Sequence, residues 1–104
     1  MMRDPKFRIG ELVRSDLPKL SDHLRTWAEA HLTDPRPETF SEDWEGTKPI
    51  ILWLVTDNTG HHDSSSRVVF DPEEEKFGLE MEMQNGTHWF MGLYGDFAET
   101  IQNM

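Results

Sequence analysis

The chain has 104 residues, 36% of them hydrophobic and 11% aromatic, enough for one domain (1–104) with a modest core and too apolar for a disordered composition. Its formal net charge is −10, and residues 37–104 carry three bases against fourteen acids. A field of that sign repels phosphate backbones and anionic lipid surfaces, which argues against nucleic-acid or membrane binding and favours a cationic partner.

No cysteine is present, which excludes disulfides, thiolate zinc sites and cysteine nucleophiles. The longest apolar run, Ile50 to Val55, falls far short of the roughly 20 residues of a membrane helix. The opening MMRDPKFRIGELV lacks the apolar segment and cleavage site of a secretory signal, so the expected location is cytoplasmic.

In chain order, Phe7 to Arg14 reads as a short strand or an irregular lead-in, weakened by Gly10. A long helix follows over Leu17–Leu32. Ser15 or Asp16 supplies its N-cap, Pro18 fits its first turn, and Leu17, Leu20, Leu24, Trp27, Ala28 and His31 recur at helical spacing. Leu20, Leu24 and Trp27 are its expected buried face. Asp34-Pro35 stops it, because a proline disfavours helical geometry in the residue before it. Residues 33–49, with three prolines and five acids, read as a loop anchored by one helical turn that brings Phe40 and Trp44 together. Ile50 to Thr56 is apolar on both faces and reads as a central strand, with Trp53 in the core. Arg67 to Phe70 is the next strand and Asp71-Pro72 the turn after it.

Phe77 to Tyr94 consists of two period-2 runs around Asn85-Gly86, a strong hairpin signal. A two-residue loop sets Met83 opposite His88, Met81 opposite Phe90, Leu79 opposite Gly92 and Phe77 opposite Tyr94. Asp96, with Glu99 three residues on, caps a short C-terminal helix. The expected fold class is α+β: one long helix on a four- to five-stranded antiparallel meander, closed by the short helix. This element order resembles the cystatin-like and nuclear-transport-factor-like rolls, and the resemblance implies a hollow between helix and curved sheet.

The run Gly60-His61-His62-Asp63 invites a metal or catalytic reading, but adjacent histidines diverge on an extended chain and a catalytic triad is assembled from separated segments, so a polar turn is expected. No metal site or cofactor is implied, and no catalytic constellation stands out. The expected register places Glu80 and Glu82 on one sheet face with Trp89 and Met91, an acidic surface with apolar anchors. That pattern fits a non-enzymatic module, inhibitor-like or immunity-protein-like, binding a basic protein. The alternative is a small-molecule-binding or simple enzymatic domain with His88 and Tyr94 as polar groups of a pocket under the helix. Trp44 and Trp89 are the two tryptophans expected to show at the surface. Monomer and homodimer are both compatible with the sequence.

Overall fold

Asp4-Pro5 starts a helix rather than a strand. In the computed structural model, which describes residues 4–57 and 66–104, Asp4 accepts a hydrogen bond from the Lys6 N–H at 3.0 Å and Pro5 opens α1 (Pro5–Asp16). Proline suits that position because its missing N–H would have no intrahelical partner there. The expectation of a strand or lead-in over Phe7–Arg14 is thereby corrected: Ile9 and Val13, four residues apart, form a buried stripe.

Pro18 also splits the expected long helix. It has no N–H to continue the ladder, so α1 ends at Asp16, a 3₁₀ turn covers Leu17–Lys19, and Leu20 goes extended. Ser21 then caps α2 (Asp22–His31), accepting from the Leu24 N–H at 3.3 Å. Leu20 is buried as expected. Leu24 and Trp27 are only half-buried, and Ala28 takes the fully buried position of α2. His31 Nδ1 lies 3.0 Å from Asp57 Oδ1, tying the end of α2 to the chain beyond the second strand.

The stretch expected to be a loop is mostly β1 (Leu32–Ser41). Two prolines are tolerated because β1 pairs along its length only with β2 (Pro49–Thr56), with an irregularity between Leu32 and Arg36. The expected helical turn is absent: Phe40 is a buried strand residue, whereas Trp44 is 59% exposed in the β1–β2 connection. The strands β3 (Arg67–Asp71), β4 (Lys76–Glu82) and β5 (His88–Gly95) fall where the periodicity places them. Asp96 caps α3 (Phe97–Gln102) through the Glu99 N–H at 2.7 Å. The Gly60–Asp63 turn lies outside the described residues.

The fold is α+β, with five strands and three helices, and the strands form a closed barrel in the order β1-β2-β3-β4-β5 rather than an open meander under a single helix. Five strands in a meander alternate direction, so the first and last must run parallel where they meet. They do so at Ser41 and Trp89. One layer of core lies between barrel and helices: Ile9, Val13, Leu20, Ala28, Phe97 and Ile101 against Val55, Val68, Phe70, Phe77 and Leu79. The Phe77 ring stands 4.9 Å from Phe70 and 5.5 Å from Phe97. Inside the barrel, Phe40, Leu52, Leu54 and Val69 pack with Ile50 and Phe90. Each fully buried aliphatic or phenylalanine side chain contributes about 1.5–3 kcal/mol relative to exposure.

The hairpin turns at Asn85-Gly86, but its register slips by one residue at the tip. Met83 and Thr87 close the loop through a 2.7 Å bond, and Gly86 donates to the Met83 carbonyl at 2.9 Å with φ +87°. The result is a three-residue loop, Gln84-Asn85-Gly86, with glycine in the left-handed region. Glu82 therefore pairs with His88, Met81 with Trp89 and Glu80 with Phe90. An irregularity at Met91 restores the expected pairing of Leu79 with Gly92, and a second moves Phe77 from Tyr94 to Gly95.

Candidate functional site

Closure of the barrel turns the β4 face opposite Phe77 and Leu79, expected to meet solvent, into the interior that holds Glu80, and the register slip brings Phe90 and His88 onto that same face. The Glu80 side chain is 0% exposed. Arg67, across the β3–β4 pair, donates to Glu80 Oε1 through Nε at 2.6 Å and closely through Nη2. His88 Nδ1 lies 3.2 Å from the same oxygen. Glu38 Oε1 stands 3.7 Å from Arg67 Nη2, and the guanidinium carbon is 5.9 Å from the centroid of the Phe40 ring. Glu80 Oε2 is buried with no hydrogen-bond partner among the described residues. Burial pushes the Glu80 carboxyl above its ordinary range, and Arg67 and then His88 pull it back.

Arg67 Nη2 is 3.3 Å from His88 Nδ1, but a guanidinium only donates. The Glu80 carboxyl, held by Arg67, is therefore the group that orients the imidazole through Nδ1.

Outside the barrel, the seam where β1 meets β5 carries a second cluster. Asp43 organises the β1–β2 connection: its Oδ1 accepts from Ser41 Oγ at 2.5 Å, from the Thr47 N–H at 2.8 Å and from the Lys48 N–H at 3.1 Å, while Oδ2 accepts from the Thr47 hydroxyl. The Ser41 and Thr47 hydroxyls, then the two amides, hold its carboxyl well below the usual range. The turn so formed presents Trp44, whose ring meets Trp89 edge-on at 5.6 Å and 88°. Asn85 Nδ2 donates to the Trp44 carbonyl at 3.2 Å, joining turn and hairpin tip. Glu42 and Glu45, beside Trp44, are both exposed.

Glu80, Glu82, Trp89 and Met91 do not share a face. Glu80 points into the barrel, and Glu82, paired with His88, sits exposed at its margin. Trp89 is on the outer face beside Met81, and Met91 packs against the core under the helices. His88 and Tyr94 are likewise separated, since Tyr94 packs on the helix side while His88 joins the interior cluster. Large side chains pack most of the layer between helices and sheet, and an apolar pocket of about 170 Å³ remains where α1 meets β1 and β2, lined by Ile9, Val13, Leu17, Leu32 and Val55 among others but not by His88 or Tyr94. Arg67 and Asp43 were not singled out from sequence. An arginine opening a strand opposite an acid and an Asp-x-x-x-Thr turn are the signals that mark them.

Among the described residues no group of three or more His, Asp or Glu side chains is placed to hold a metal ion, and no helix is long and apolar enough to cross a membrane. No protein-family model, curated protein or solved structure matches this chain.

Proposed function

We propose that this protein is a non-enzymatic interaction module, inhibitor-like or immunity-protein-like, that docks a basic protein on the Trp44–Trp89 surface. The observation that carries the reading is the edge-to-face pair of exposed Trp44, mounted on a turn braced by Asp43 and flanked by Glu42 and Glu45, with half-buried Trp89 of β5. Tryptophan is enriched among residues that dominate binding energy, and acidic flanks select cationic partners and speed their encounter. The acids concentrated in residues 37–104 support the same partner chemistry.

The test is capture of a basic protein from the source-cell lysate followed by association kinetics. Glu42→Lys with Glu45→Lys slows association severalfold at low salt, and the difference shrinks as salt screens charges beyond the roughly 8 Å Debye length of physiological ionic strength. Trp44→Ala instead raises the dissociation rate at least about tenfold, the signature of a buried anchor. Identical kinetics for wild type and both variants refute the proposal.

A further inference from the structure

Between the β1–β2 turn and the hairpin tip lies a cleft of about 260 Å³, lined by Thr39, Phe40, Ser41, Pro49, Thr87 and His88 among others. Its chemistry is one-sided. The Thr39 and Thr87 hydroxyls have no hydrogen-bond partner among the described residues, and His88 engages Glu80 through Nδ1, so that a neutral imidazole giving that proton to Glu80 offers Nε2 as an acceptor. Phe40 and Pro49 supply apolar wall. Behind His88 stands Glu80, paired with Arg67 through one carboxylate oxygen while the other is buried and has no hydrogen-bond partner among the described residues. Glu42, which follows the lining residue Ser41, and Glu82, the strand partner of His88, are both exposed. A satisfied barrel interior would need none of this; an ion pair this deeply buried is no stability device, since apolar replacements of similar volume do as well or better.

We propose that this cleft receives the ammonium group of a lysine side chain from the basic partner, an assignment that rests on the docking function above. An ammonium offers three donors and no acceptor, matching Nε2 and two hydroxyls. Its aliphatic stem lies along Phe40 and Pro49 while the charge sits among acceptors. A guanidinium, a rigid planar fork suited to bidentate carboxylates, is the poorer fit. The exposed Glu42 and Glu82 disfavour an anion.

The experiment titrates the whole protein with a capped peptide of alternating glycine and lysine, with the same peptide acetylated on its lysines, with its arginine counterpart, and with 1,4-diaminobutane. Readouts are the His88 ring nitrogen resonances and tryptophan fluorescence. The lysine peptide shifts the His88 Nε2 resonance, and acetylation weakens binding at least about tenfold, the scale of one charge-assisted hydrogen bond. His88→Ala and, as a milder change, Thr87→Val each weaken the lysine peptide severalfold while circular dichroism stays native. A lysine peptide that perturbs tryptophan fluorescence but leaves Nε2 unmoved, and binds His88→Ala equally well, overturns the cleft assignment and leaves the docking function standing. Loss of all response to basic probes, with kinetics of the captured partner unaffected by the Trp44 and Glu42/Glu45 variants, overturns both. Diaminobutane binding as tightly as the peptide overturns the assignment to a partner's lysine, since a free amine then suffices.

Discussion

Glu80 and Arg67 are a case in which removing one charge and removing both have opposite consequences. Each ion was desolvated on entering the barrel, and a lone survivor keeps that penalty without its partner. Arg67→Met is expected to cost about 3–5 kcal/mol in a urea titration, whereas Arg67→Met with Glu80→Leu is expected to lie within about 1 kcal/mol of wild type. Additive losses in the double variant would show that the two side chains do not act as a pair. The pH dependence has a definite sign. Burial raises the folded-state carboxyl above its ordinary value of 4.5, so the folded chain holds this proton more tightly than the unfolded chain. The contribution of Glu80 to stability is therefore greatest below pH 4.5 and is lost as pH rises through the folded-state value. Measured as wild type minus Glu80→Gln, stability should fall on going from pH 4 to pH 7; a rise would place the carboxyl below its ordinary range. Trp53 is half-buried against the helix-side core. Its replacement by alanine should cost about 2–3 kcal/mol, below the 3–5 kcal/mol of a fully buried aromatic.

At the scale of elements, the β4–β5 hairpin shows two uses of glycine that a substitution separates. Gly86 has φ +87° with open space around the position of a Cβ, so Gly86→Ala incurs only backbone strain, about 1 kcal/mol. Gly78 has no such conformation, but a Cβ there collides with the Gly92 carbonyl and stands 2.9 Å from the Phe90 ring. Gly78→Ala should therefore cost at least about 3 kcal/mol or prevent folding, because β4 and β5 would have to part. Equal losses in thermal melts of the two variants would refute this division. The same hairpin marks the limit of legibility. Asn-Gly suits a two-residue loop, and it equally suits a type I turn that ends in a left-handed glycine. The two differ by one residue in register, and therefore by a whole sheet face. A run apolar on both faces placed β2, period-2 alternation around Asn85-Gly86 placed β4 and β5, and Asp96 announced α3. In LEMEM, however, alternation alone reads every glutamate as solvated, and a glutamate buried against an arginine gives the same pattern. Asp4-Pro5 was a readable helix start, outweighed by Gly10. The prolines of β1 hid a strand that only its single-sided pairing permits. Exposure of Trp44 was legible because it belongs to no apolar periodic face, whereas Trp89, expected beside it at the surface, is half-buried in β5.

For the whole molecule, the excess of acids over bases acts on folding and on docking with opposite dependence on salt. Residues 1–36, which include α1, α2 and the start of β1, are nearly neutral, with seven bases and six acids, so the surplus rides on the remainder of the barrel, its connections and α3. Bringing those acids together on folding is repulsive, and net charge far from zero destabilises a compact state. The exposed ion pairs, such as Lys6–Asp34 at 2.8 Å and Arg8–Glu75 at 3.1 Å, do not offset it, since pairs of this kind contribute about 0–1 kcal/mol each and are screened by the same salt. The Arg67–Glu80 pair is buried and is screened much less. Raising NaCl from low to physiological strength and beyond should thus stabilise the fold by about 1 kcal/mol, a rise of about 4–8 °C in Tm for a domain of this size, while slowing association with a basic partner. Scanning calorimetry across a salt series, beside association kinetics on the same samples, reads both terms. A Tm that falls with salt would mean that attractive pairs, not the surplus of acids, dominate the folded-state field, and the charge argument for a cationic partner would lose its physical basis.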